Sequence, residues 1–208
     1  MALSKIQSQS VNLADDFAFT GTVTGAGGGK ILQVKQTVFK GQFSNSASTA
    51  LHEEVVTGLN CTITPTSASN KILVQYNVHI GATNYYDVGI KIYKNVTANS
   101  GAGPLGTKLL DSSGNAIEGT TANNRPTSVG VMNLLGSTPY YFQVPANAII
   151  LDHPNTTSAL TYSFALSSYD FTSSSTWFVN RSSIWQDNGG AGLYEHVPVS
   201  MLTLMEVS

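Results

Sequence analysis

Few residue sets in the 208-residue chain have types and spacing that could do chemistry. Gly101, Gly103 and Gly106 fit G-x-G-x-x-G, the spacing that sets a pyrophosphate on a helix N-terminus. Pro104 interrupts it, and Lys108 to Gly114 is too short and broken to be that helix, so the match reads as chance in a glycine-rich loop. Gly29-Lys30 is no phosphate loop, because Thr24 stands at its first glycine and Ile31 at its magnesium-binding Ser or Thr. His52, His79, His153 and His196 lack the spacing of a zinc site, and the single Cys61 rules out an intrachain disulfide. No metal and no cofactor is expected. Asp152-His153 could supply two members of a triad, but G-x-S-x-G is absent. A glycosidase needs two facing carboxylates about 5–9 Å apart. Asp15-Asp16 and Glu53-Glu54 are sequence neighbours that point to opposite faces of an extended chain, and they read as solvated edge charges. Asn60, Asn95, Asn155 and Asn180 begin glycosylation-type triplets, read as accidents of a chain rich in Asn, Ser and Thr.

Aromatic residues in connecting segments are the better candidates for recognition. Tyr85, Tyr86, Tyr169, Phe171, Trp185 and Tyr194 stand among hydroxyl and amide side chains. Flat rings can stack on apolar sugar faces while the amides bond hydroxyls. The competing reading is that each ring plugs an end of the fold.

The elements that must position these residues are strands. In Lys71 to Ile80, residues Ile72, Val74, Tyr76, Val78 and Ile80 share one face. Lys71, Gln75, Asn77 and His79 share the other, with Leu73 the exception. Period-two alternation of this length is a half-buried antiparallel strand, here expected to be central. It is expected to form a hairpin with Leu59 to Ile63 through the turn Pro65 to Asn70. Further strands are expected at Ile31 to Phe39 (Leu32, Val34 and Val38 on one face), Glu53 to Val56, Val88 to Tyr93 and Lys108 to Leu110. Others are expected at Ser128 to Leu135, Tyr140 to Pro145, Leu160 to Leu166, Thr176 to Arg181 and Val199 to Val207. Gly41 to Thr49 reads as a polar loop, and residues 95–124 as a long segment crossing the surface. In the last strand both faces are apolar, with Met201, Met205 and Val207 on one and Leu202 and Leu204 on the other. One face packs on the core; the other is covered by the second sheet or by another subunit, and Leu202 and Leu204 are the candidate subunit contacts. The fold class is all-β, a jelly-roll sandwich over residues 30–208.

Residues 1–29 differ from the rest. A polar stretch leads to Phe17-Ala18-Phe19-Thr20-Gly21-Thr22-Val23 and then to a glycine-rich linker. Phe17, Phe19 and Val23 share one parity, which favours a docking arm over a frayed tail and makes them the candidate anchor residues. Only 11% of residues are charged and the net charge is −2, without the basic stripe that nucleic acid requires. Neither a signal-peptide core nor a membrane-spanning run is present. Synthesis in a cytoplasm is expected, with no membrane insertion.

Three segments carry a family resemblance: Lys30 to Thr37 (KILQVKQT), Thr57 to Pro65, and Ser69 to Val74 (SNKILV). With Thr161-Tyr162, Val179 to Ser182 and Leu202 to Val207, they make most of residues 30–207 resemble a repeat-rich group of tailed-bacteriophage virion proteins, frequent in marine phages. Such domains are similar to C1q/TNF-type jelly rolls, which form trimers. The resemblance implies a tail-fibre, head-fibre or decoration role and brings no catalytic residues. The expectation is therefore a non-enzymatic virion protein, a homotrimeric knob attached to other virion proteins by its arm and able to contact host surface glycans. The alternatives are a capsid decoration (cement) protein with no receptor role and a polysaccharide hydrolase.

Overall fold

The computed structural model describes residues 30–47, 52–83, 87–120, 127–133, 143–168, 175–182 and 196–208. The arm, with Phe17, Phe19 and Val23, lies outside them, as do Tyr85, Tyr86, Tyr169, Phe171, Trp185 and Tyr194. The described elements are all strands. They are β1 (Ile31–Phe39), β2 (Phe43–Ala47), β3 (His52–Ile63), β4 (Lys71–Ala82), β5 (Asp87–Lys94) and β6 (Ser100–Gly101). There follow β7 (Thr107–Lys108), β8 (Gly130–Asn133), β9 (Val144–Asp152), β10 (Leu160–Ser168), β11 (Ser175–Val179) and β12 (Ser200–Val207).

Every pairing is antiparallel, and the strands form two sheets. The long strands run β1-β12-β4-β9 in one sheet and β3-β10-β5-β8 in the other, a jelly-roll order. Strand β4 is central: β9 takes one edge over Ile72–Ile80, while β12 and then β11 take the other. Its even residues, Ile72 to Ile80, are at most 2% exposed. They meet Leu59 and Ile63 of β3, Ile90 and Ile92 of β5 and Tyr162 and Phe164 of β10 in one core cluster. The alternation in the sequence therefore marks the inner face of the first sheet.

Four expectations are corrected. Strands β3 and β4 lie in different sheets, so residues 64–70 cross between the layers and make no hairpin. The segments expected as separate strands at Glu53 and Leu59 are one strand. Gly58 holds φ +90, in the region favouring glycine, and the register against β10 slips there. Phe43–Ala47 is a short strand despite its polar sequence, paired with β11. Strand β9 begins at Val144 and runs on to Asp152 through Pro145, a residue tolerated because β9 pairs only with β4 among the described residues.

The crossing turn is held by Glu206, fully buried on β12. Its Oε1 accepts from Thr66 N (2.6 Å), Thr66 Oγ1 (2.7 Å) and Asn70 Nδ2 (2.7 Å), and its Oε2 accepts from Gln33 Nε2 (2.7 Å). Burial pushes the carboxyl pKa up, but the hydrogen bonds from Asn70, Gln33 and Thr66 outweigh it and hold it at about 2. A depressed folded-state pKa stabilises fully above the ordinary carboxyl value and loses that contribution as pH falls through the folded value. Denaturant midpoints should therefore fall between about pH 4.5 and about pH 2, and Glu206→Gln should flatten the fall. An unchanged pH profile in the variant would contradict this role.

Candidate functional site

The two outer faces of the sandwich are finished differently. On the β3-β10-β5-β8 sheet, the chain covers its own face. Leu105, from the crossing segment, packs with Val55, Tyr93 and Ala165 in a second buried cluster. Lys91, 3% exposed, lies 3.5 Å from Glu53 Oε1 and 3.3 Å from Glu118 Oε1. Glu53 accepts from the Tyr93 hydroxyl, and Glu118 from Lys108 (2.9 Å) and Thr127. Glu53, expected as a solvated edge charge, is a buried clamp instead. Gly103 completes the closure, since a Cβ there would fall 2.5 Å from the Glu53 carboxyl carbon. Gly103, the middle glycine of the chance-like G-x-G-x-x-G, thus has a packing reason.

The β1-β12-β4-β9 sheet has no such cover among the described residues. Cross-strand register places Val34, Met205, Leu73 and Leu151 in one row across four strands. At the usual strand spacing that row is about 14 Å wide. The next rows are Gln36, Thr203, Gln75, Ile149 and then Val38, Met201, Asn77, Asn147. Val34 is 55% exposed and Ile149 62%, and Val38 and Leu151 are exposed as well. Gln36 Nε2 donates to Thr203 Oγ1 (2.9 Å), tying the polar row together. In these rows no side chain is charged; Lys71, paired with Val207, stands at one end. Apolar side chains thus fill the first row and stand beside polar ones in the other two.

Leu202 and Leu204 are not on this face. Both are 0% exposed and belong to the core cluster of their own chain. Leu202 lies opposite Tyr76, whose row points inward, so the parity of β4 decides that of β12. The reading of Leu202 and Leu204 as subunit contacts is corrected: the second sheet covers them, and Met201 and Met205 face out. The residues missed from the sequence are Val34, Met205, Leu73, Ile149 and Leu151. The signal was Leu73, the one apolar residue in the polar row of β4.

Asp152 is likewise fully engaged. It is 0% exposed and takes hydrogen bonds from Lys94, Tyr162 and the Leu110 amide, so its carboxylate is not free to orient His153. Three of the four glycosylation-type asparagines, Asn95, Asn155 and Asn180, hold positive φ, a conformation Asn tolerates. Asn180 is buried and donates to the Phe39 and Gly41 carbonyls, each at 2.9 Å. Among the described residues no three His, Cys, Asp or Glu side chains are grouped to hold a metal.

The described residues thus define an all-β antiparallel sandwich in which the outer face of the β1-β12-β4-β9 sheet carries exposed apolar side chains. No protein-family profile matches the chain. No curated protein matches it. Among solved structures, it is similar to one described as "Structure of infectious bursal disease virus Gx strain", with TM-score 0.31 and 11% identity. The match covers 85% of this chain and 38% of that one; at that score it carries no argument about function.

Proposed function

We propose that the chain is a non-enzymatic virion structural protein of a tailed bacteriophage, a homotrimeric fibre knob. The open face of β1-β12-β4-β9 is the subunit interface. The observation that carries this reading is the asymmetry of the two faces: one is sealed by the chain's own crossing segment, and the other presents Val34, Val38, Ile149 and Leu151 to solvent. Leaving such a surface bare invites non-specific association, so it fits a chain that functions assembled. The resemblance in strand and turn segments supports the phage assignment and the number three. In this reading residues 1–29 attach the knob to other virion proteins through Phe17, Phe19 and Val23. Tyr85, Tyr86, Tyr169, Phe171, Trp185 and Tyr194 supply the host-glycan contacts, weak singly and strengthened by multivalency.

Deletion of residues 1–24 is expected to leave a folded trimer that no longer joins particles, measured by solution mass and by incorporation into purified virions. A deletion that fails to fold would count against the anchor role. Particles lacking the protein should adsorb poorly to cells; particles that adsorb normally but fall apart sooner would favour a cement role.

A further inference from the structure

We propose that the groove between the free edges of β8 and β9 binds the acetamido group of an N-acetylated amino sugar. This rests on the glycan-contact reading above and gives it a ligand class and a place. The groove has a volume of about 430 Å³, within the range of small-molecule sites. Its floor is Tyr76, 2% exposed, with its ring edge-on to Phe164 at 5.4 Å between centroids. The Tyr76 hydroxyl donates to no described residue and is not shut away from solvent, so an acceptor bound in the groove can reach it. Burial raises its pKa, so it remains a neutral donor. Gly130 lines the groove beside it, and a Cβ there would come within 2.9 Å of the hydroxyl oxygen. A glycine at this position keeps the way to the hydroxyl open.

The walls select the rest of the ligand. Ile90, Val129, Val144, Ala146 and Ala148 are aliphatic, and no lining residue is charged. A carboxylate or ammonium group would be desolvated there without a counter-charge, so the ligand is neutral. Strand β8 pairs with β5 and β9 with β4, and neither has a second partner among the described residues. Their outer edges therefore present backbone N–H and C=O groups along the groove. An acetamido group matches all three features. Its carbonyl accepts from Tyr76, its methyl lies on the aliphatic wall and its N–H donates to an edge carbonyl. A sugar without the acetyl group would set hydroxyls against the same wall.

The test is an amide-resolved NMR titration of the full chain with N-acetylglucosamine, glucose and N-acetylalanine methylamide, beside binding of the purified protein to host cells before and after periodate treatment. The expected result is saturable shifts at Gly130, Val131 and Ala146 with N-acetylglucosamine and none with glucose. Tyr76→Phe, which removes only the hydroxyl, should weaken binding about three- to tenfold without lowering the melting temperature. Gly130→Ala should abolish it. Shifts with the peptide amide alone, or with no probe, would overturn the proposal. If cell binding is periodate-sensitive but unchanged in Tyr76→Phe, the groove proposal falls and the glycan reading stands. If the groove shifts occur while cells are not bound, the reverse holds.

Discussion

Asp152→Ala should destabilise the folded chain by about 3–5 kcal/mol, the cost of leaving a buried cation unpaired. Asp152 sits at the end of β9 with 0% exposure. Lys94 Nζ, on the opposite sheet, lies 3.0 Å from each of its oxygens. The Tyr162 hydroxyl donates to Oδ2 at 2.6 Å and the Leu110 amide to Oδ1 at 2.7 Å. Burial and the neighbouring Asp152 charge raise the Tyr162 pKa, so its proton stays available for this bond. The carboxylate thus joins both sheets and the crossing segment, and its removal strands three donors at once. In a chain of this size the loss corresponds to a melting temperature about 6–20 °C lower. Replacing both partners, as in Lys94→Met with Asp152→Leu, should cost much less than Asp152→Ala alone, because no buried charge is left over. Lys108→Ala is the contrast: Lys108 pairs with Glu118 but its side chain is 37% exposed, and its loss should cost no more than about 1 kcal/mol. A loss under about 1 kcal/mol for Asp152→Ala would contradict the central place given to this pair.

The second large effect is expected on assembly and hardly at all on folding. Val34→Glu places a carboxylate in the row Val34, Met205, Leu73, Leu151. Val34 is 55% exposed in the single chain, so the substitution should change folding stability by no more than about 0.5 kcal/mol. In a trimer joined through this face the same carboxylate would be buried three times without a partner, a penalty of several kcal/mol. The subunits should separate while each keeps its fold.

The inner half of this fold was legible in the sequence and the outer half was not, for a physical reason. Alternation reports which side chains avoid water, and in Lys71–Ala82 the two rows differ enough to mark the inward one. In Ser200–Val207 both rows are apolar, so parity comes only from the pairing of Leu202 with Tyr76. That pairing is long-range information that no local window holds. Glu53 shows the same limit: a charged residue beside another charged residue reads as surface until Tyr93 and Lys91, some 40 residues on, are seen to enclose it. The positive-φ asparagines show the converse, since a motif that suggests chemistry can have a backbone cause. Leu73 was the one local sign of the open face, a single apolar residue in a polar row.

The most direct test of the assembled-knob account is the solution mass by light scattering of the full chain and of its Val34→Glu variant, with circular dichroism to verify folding. The account predicts three times the chain mass for the unaltered protein and a single chain mass for the folded variant. A monomeric unaltered protein, or a variant that remains trimeric, would contradict the assignment of this face.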